Sequence, residues 1–118
     1  MPWTLQRGKE KAVVLSDIDP VIYPLNRFKI CAVLNARGAV EGQVRREMRF
    51  AALREEVGQS AATLSKQLTA LENEGYISRF REYGSSRDKD TVWVMLTATG
   101  KSAFDAHLAA LKSLAEQE

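Results

Sequence analysis

Two amphipathic helical stretches that meet at Gly58, two β-rich runs directly after them and a leucine-bearing helical stretch at the end predict an α+β fold, mostly α. In that order the elements make a winged helix-turn-helix with a two-stranded wing and a C-terminal dimerisation helix. The chain has 118 residues, enough to bury about two-thirds of its unfolded surface within one domain. Its 45% hydrophobic and 27% charged residues are ordinary for a soluble globular protein. No run approaches the roughly 20 apolar residues of a membrane span. The start, "MPWTLQRGKEKAVVL", lacks the apolar core and small-residue cleavage site of a secretion signal, so the cytoplasm is expected.

The elements follow in order. Asp19-Pro20 suits a helix cap and first residue, so a brief turn is expected there. Pro24 heads the first solid helix, in which Leu25, Phe28, Cys31 and Leu34 recur at three-residue steps before Gly38 stops it. The segment from Ala39 to Glu47 reads as a polar connector with room for a helical turn near Gln43. Met48 to Phe50 suits a short strand, and "AALREEVG" a brief helix with Leu53 and Val57 inward. Ser60 is the expected N-cap of the next helix, with Ala61, Leu64, Leu68 and Leu71 buried and Gly75 as terminator. "YISRFREYG" and "TVWVMLT", split by "SSRDKD", have the composition of a hairpin with Arg87 and Lys89 at its tip. Thr97 caps a terminal helix expected to run nearly to Glu118. The chain thus divides into an N-terminal extension over 1–18, a winged helix over 19–97 and a dimerisation helix over 98–118, all within one domain.

The second helix of a helix-turn-helix keeps one face in the core and shows the other to base edges and phosphates. Here the outward group is Ser60, Ala62, Thr63, Lys66 and Gln67, with Gln59 in the turn. Gln pairs in bidentate fashion with adenine, Thr offers a hydroxyl or a methyl, and Lys reaches guanine or phosphate. Carboxylates are absent from Val57 to Leu71 and return at Glu72 and Glu74. That order opposes the macrodipole preference, at about 0.3 to 1 kcal/mol per exposed charge, and it keeps negative charge away from DNA. The net charge of +2, from 17 basic and 15 acidic residues, adds little by itself.

From Asp19 to about Leu114 the chain resembles winged-helix transcriptional regulators of the multiple-antibiotic-resistance regulator (MarR) type, in their small single-domain branch. The pieces that carry this are "DPVIYPLNRFKICAVL", "FAALREEVGQSAATLSKQLTALENEGYI" and "VMLTATGKSAF". Leu64, Ser65, Lys66, Leu68, Leu71, Glu72 and Gly75 occupy the places of the family's reading-helix pattern. The resemblance implies a homodimer on a pseudo-palindromic operator, with the reading helix in the major groove and Arg87 of the wing in the minor groove. Family members often place Asp two residues before that arginine, whereas Ser85 stands here. The connector also looks longer than in relatives. Its Arg45, Arg46 and Arg49 either contact phosphates or pair with Glu41 and Glu47 in a solvated loop.

For pairing of two copies the terminal helix offers Phe104, Leu108, Leu111, Leu114 and Ala115 at coiled-coil-like spacing. A small-molecule effector between dimer helices and reading module is compatible with the sequence, although no residue set marks one. Cys31 reads as a small buried hydrophobe, His107 as an interface or surface residue, and Trp3 and Trp93 as packing residues. One cysteine and one histidine give no ordinary zinc site, and no phosphate loop or nucleophile elbow points to an enzyme or a cofactor. The expected partner is double-stranded DNA. The alternative is a winged-helix protein-interaction module without sequence-specific DNA binding.

Overall fold

The computed structural model describes residues 17–42, 47–84 and 90–116. The turn expected at Asp19 is present: the Asp19 carboxylate accepts from the Val21 N–H at 2.8 Å and from the Ile22 N–H at 3.3 Å. Pro24 then leads into α1 (Leu25–Ala36), whose buried side is Ile30, Cys31 and Leu34. Leu25, expected inward, is exposed, because a helix turning about 3.6 residues per turn carries a strict three-residue series off its buried stripe.

The segment after α1 is not simply a polar connector. Ala39 and Val40 are buried, and Val40 forms a parallel bridge with Leu96, with Leu96 N–H donating to Ala39 O at 2.8 Å and Glu41 N–H to Leu96 O at 2.9 Å. Backbone donors that would otherwise be buried unpaired are thereby satisfied. The helical turn expected near Gln43 falls outside the described residues.

β1 (Met48–Arg49) leads directly into α2 (Phe50–Val57), and Leu53 and Val57 face inward as expected. Gly58 follows at φ 69°, ψ 33°, the left-handed conformation that lets the chain reverse without a Cβ clash. Ser60 then caps α3 (Ala61–Asn73), its hydroxyl accepting from the Thr63 N–H at 3.1 Å. Leu64, Leu68 and Leu71 are fully buried. Ala61, expected with them, is exposed, since the buried stripe of the helix begins only at Leu64.

β2 (Ile77–Glu82) and β3 (Thr91–Leu96) pair antiparallel from Ile77 opposite Leu96 to Glu82 opposite Thr91. β1 joins the far edge of β3, so the sheet order is β1-β3-β2. Thr97 caps α4 (Ala98–Ala115) by accepting from the Gly100 N–H at 2.9 Å. Glu41 adds a second cap, one oxygen of its carboxylate accepting from the Ala98 N–H at 2.9 Å.

The helices pack on one face of the sheet around Ile22, Ile30, Leu34, Leu53, Leu64, Leu68, Val94 and Leu96. A polar junction ties the ends of this core together. Tyr76, just before β2, donates its hydroxyl to the Asp19 carboxylate at 2.6 Å, and the Asp19 N–H donates to His107 Nδ1 at 2.9 Å. His107 is therefore fully buried beside Phe28 and not at the surface, because its ring accepts a backbone proton that would otherwise be stranded. No helix among the described residues is long and apolar enough to cross a membrane.

Candidate nucleic-acid interface

α3 is the second helix of the helix-turn-helix, and its helical period sorts its surface into a buried strip, an outermost strip and two flanks. Leu64, Leu68 and Leu71 anchor the core. Ala62, Lys66, Thr69 and Asn73, four and three residues apart, form the outermost strip and are all exposed. Thr63 and Gln67 lie half-buried on the flank toward α1, and Ser65 and Glu72 on the flank toward the sheet. Ser65, Thr69 and Asn73 had no place in the outward group expected from the sequence, although the same period carries the strip past Lys66 to Asn73.

The expected reading residues divide on this surface. Ala62 and Lys66 face outward, and Ser60 spends its hydroxyl on the cap. Gln59 is instead half-buried against α1, its amide nitrogen donating to Asn26 O at 3.1 Å. Gln67 Oε1 accepts from Arg27 at 3.0 Å, and Arg27 donates its Nε–H to Val21 O. Both glutamines thus tie the reading module to α1 and the turn before it. On the other flank Arg79 donates to Glu72 at 3.0 Å and to the Thr69 hydroxyl at 2.9 Å. Lys66 makes no ion pair with any described residue, so its charge projects from a strip without carboxylates. Arg87 and Lys89, like Arg45 and Arg46, lie outside the described residues.

Arg49 stacks on the Trp93 ring, 5.5 Å from its centroid, and the Trp93 indole N–H donates to Glu82 at 3.0 Å. Trp93 is thus a packing residue, and Arg49 is held on the sheet away from a solvated loop.

The terminal helix is two-sided. Phe104, His107 and Ala110 point into the chain's own core, with the Phe104 ring 5.7 Å from that of Phe28. Phe104 is therefore occupied within its own chain. The exposed apolar strip is Leu108, Leu114 and Ala115 with Leu111 half-buried, and Leu108 and Leu114 are 37% and 44% exposed. Cys31 is fully buried, and burial together with the Asp19 charge pushes its thiol up to about 12. Burial also lowers the His107 pKa below its ordinary value, against an opposing pull from Asp19. Among the described residues no group of His, Cys, Asp and Glu side chains could hold a metal ion.

The family model described as winged helix DNA-binding domain matches residues 27–115. Among solved structures, the crystal structure of NadR in complex with 4-hydroxyphenylacetate is similar in fold. Its TM-score is 0.61 at 18% identity, over 95% of this chain and 73% of that chain. A comparison with curated proteins finds no significant match. The fold and family agree with the MarR-type resemblance drawn from the sequence.

Proposed function

Because the chain belongs to the winged helix DNA-binding domain family, a family of binding modules rather than of enzymes, we propose that it is a homodimeric transcriptional regulator reading a pseudo-palindromic operator. The observation that carries this is Lys66, which makes no ion pair with a described residue, at the centre of the outward strip of α3, with no carboxylate on that helix before Glu72. Such a cation breaks no ion pair with a described residue when it turns toward a phosphate or a guanine edge.

In the mechanism, α3 enters the major groove with its capped N-terminus leading. Ser60, Ala62, Thr63 and Lys66 approach the duplex, while Gln59 and Gln67 hold the helix at its angle through Asn26 and Arg27. Arg87 and Lys89 of the wing meet the minor groove or its backbone. Two copies pair through Leu108, Leu111, Leu114 and Ala115, which sets the two reading helices about one DNA turn apart. The proposal includes a small-molecule effector, in keeping with the 4-hydroxyphenylacetate in the NadR complex, and the cytoplasm as the compartment.

Selection of duplexes from a random pool, followed by titration of the winner over a range of salt, tests the proposal. Affinity should fall by about 0.9 log units per log unit of salt for each phosphate contact. Lys66→Ala should weaken binding without loss of fold, and Leu108→Asp should give monomers in sedimentation. Absence of duplex binding at low salt would support the protein-interaction module instead.

A further inference from the structure

Between α3 and the sheet runs a groove of about 390 Å³, lined by Phe50, Ser65, Arg79, Phe80, Arg81 and Val92. It lies beside the outward strip, since Ser65 is the immediate neighbour of Lys66 on α3. Its two arginines differ in availability. Arg79 is committed to Glu72 and Thr69 by three hydrogen bonds. Arg81, by contrast, has a half-exposed side chain whose ion pair among the described residues, to Asp90, spans 3.5 Å. That distance is the outer limit of a hydrogen bond. The other Arg81 donors have no partner among the described residues. The exposed Ser65 hydroxyl has no partner among the described residues, and the half-buried Phe50 and Val92 supply an apolar wall, while Phe80 points to the other face of β2.

We propose that this groove holds one phosphate of the bound duplex, with Arg81 giving the charge, Ser65 a hydroxyl donor and Phe50 a surface for the adjoining sugar. A planar guanidinium and a hydroxyl match the oxygens of a phosphodiester, and an apolar ring matches the deoxyribose beside it. The volume is that of a small-ligand cleft, large enough for one sugar–phosphate unit. The occupant is backbone rather than base, because the groove flanks the reading strip instead of continuing it. The site thus fixes register on the duplex and carries no sequence information. This inference rests on the DNA-binding reading.

The test uses the full chain and its selected duplex. Arg81→Ala should reduce the slope of log affinity against log salt by about 0.9 and weaken all sequences by the same factor. Arg81→Lys should restore the slope, and Ser65→Ala should lower affinity without changing it. In a second measurement, single phosphates of the duplex are replaced one at a time by neutral methylphosphonates. One replacement should weaken the wild type and leave Arg81→Ala unaffected. If the wild type binds the duplex but the Arg81→Ala slope is unchanged, or the losses add at every phosphate, the groove is not a phosphate site. If the wild type binds no duplex at any salt, the DNA-binding reading itself fails and takes this inference with it.

Discussion

Gly100 sits in the first turn of α4, where helix propensity and packing make opposite predictions for Gly100→Ala. Propensity alone favours alanine by up to about 1 kcal/mol. The structure reverses the sign. A Cβ at this position would lie 1.9 Å from the Tyr76 carbonyl oxygen, 2.7 Å from its carbonyl carbon and 2.9 Å from its Cα. All three are backbone atoms of Tyr76, just before β2, so no side chain can rotate away. Ordinary carbon–oxygen approach is about 3.3 Å, so α4 must retreat by more than about 1 Å. That retreat stretches the Thr97 N–H bond to Tyr76 O at 3.0 Å and the Thr97 hydroxyl bond to Gly75 O at 2.6 Å. Overpacking costs about 1 to 3 kcal/mol and each lost hydrogen bond about 1 kcal/mol, so a net loss near 3 kcal/mol is expected after the propensity gain. With an unfolding entropy of about 2.1 cal/mol/K per residue, this chain should lose roughly 12 °C in Tm. Calorimetry or circular dichroism melting at fixed protein concentration measures it. An unchanged or raised Tm would show that the close approach of α4 to Tyr76 is not part of the folded state.

Three further changes probe other parts of the fold. Ser60→Ala should cost about 1 kcal/mol through loss of the α3 cap, read as a lower urea midpoint; an unchanged midpoint would remove the cap from the account. Because burial lowers the His107 pKa in the folded state, its neutral form contributes stability that is fully present above the unfolded value of about 6.5 and is lost as pH falls toward the folded value. Urea midpoints from about pH 8 to about pH 5 should therefore fall less in His107→Gln than in the wild type, and parallel curves would contradict this. With its thiol pushed up to about 12, Cys31 should resist a thiol reagent in the native protein at about pH 8 and react once urea unfolds the chain. Rapid native labelling would place the thiol outside the core.

What the sequence made legible was local. Ser60 and Thr97 announce their helices because a hydroxyl reaches the backbone N–H three residues on, and both caps form. The β-branched and aromatic runs around "SSRDKD" announce the hairpin for the same reason, since their alternation needs only neighbours. The junctions were not legible because they join distant positions. Asp19 meets Tyr76 and His107 across 57 and 88 residues, and nothing near His107 marks it as a buried acceptor. The terminal helix shows the limit of periodicity most clearly. Its apolar series marks a seam without saying whose core fills it, and Phe104 turns inward while Leu108 stays outside. On α3 the same limit separates Lys66, without an ion pair to any described residue, from Gln67, which is tied to Arg27.

That last distinction can be tested at the level of base preference. Bidentate pairing of a glutamine with adenine needs both its amide oxygen and its nitrogen, and it discriminates by about 1 to 3 kcal/mol. The Gln67 oxygen is engaged by Arg27 at 3.0 Å, and Arg27 is itself fixed on Val21 O. The link to α1 leaves Gln67 one oxygen lone pair and the amide nitrogen, and it fixes their direction, so adenine can be read in that manner only where the brace already points them. Opposite it, Arg79 holds α3 through Glu72 and Thr69, so the helix is braced on both flanks before DNA arrives. A helix already held at its docking angle loses less conformational freedom on binding, which favours affinity for every sequence alike. Gln67→Ala should accordingly weaken the selected duplex and its single-base variants by one common factor. Lys66→Ala should also change the ranking among variants wherever the lysine meets a base. Binding of both proteins to a panel of single-substitution duplexes decides the matter, and a loss of preference at one adenine in Gln67→Ala would turn the brace back into a reader.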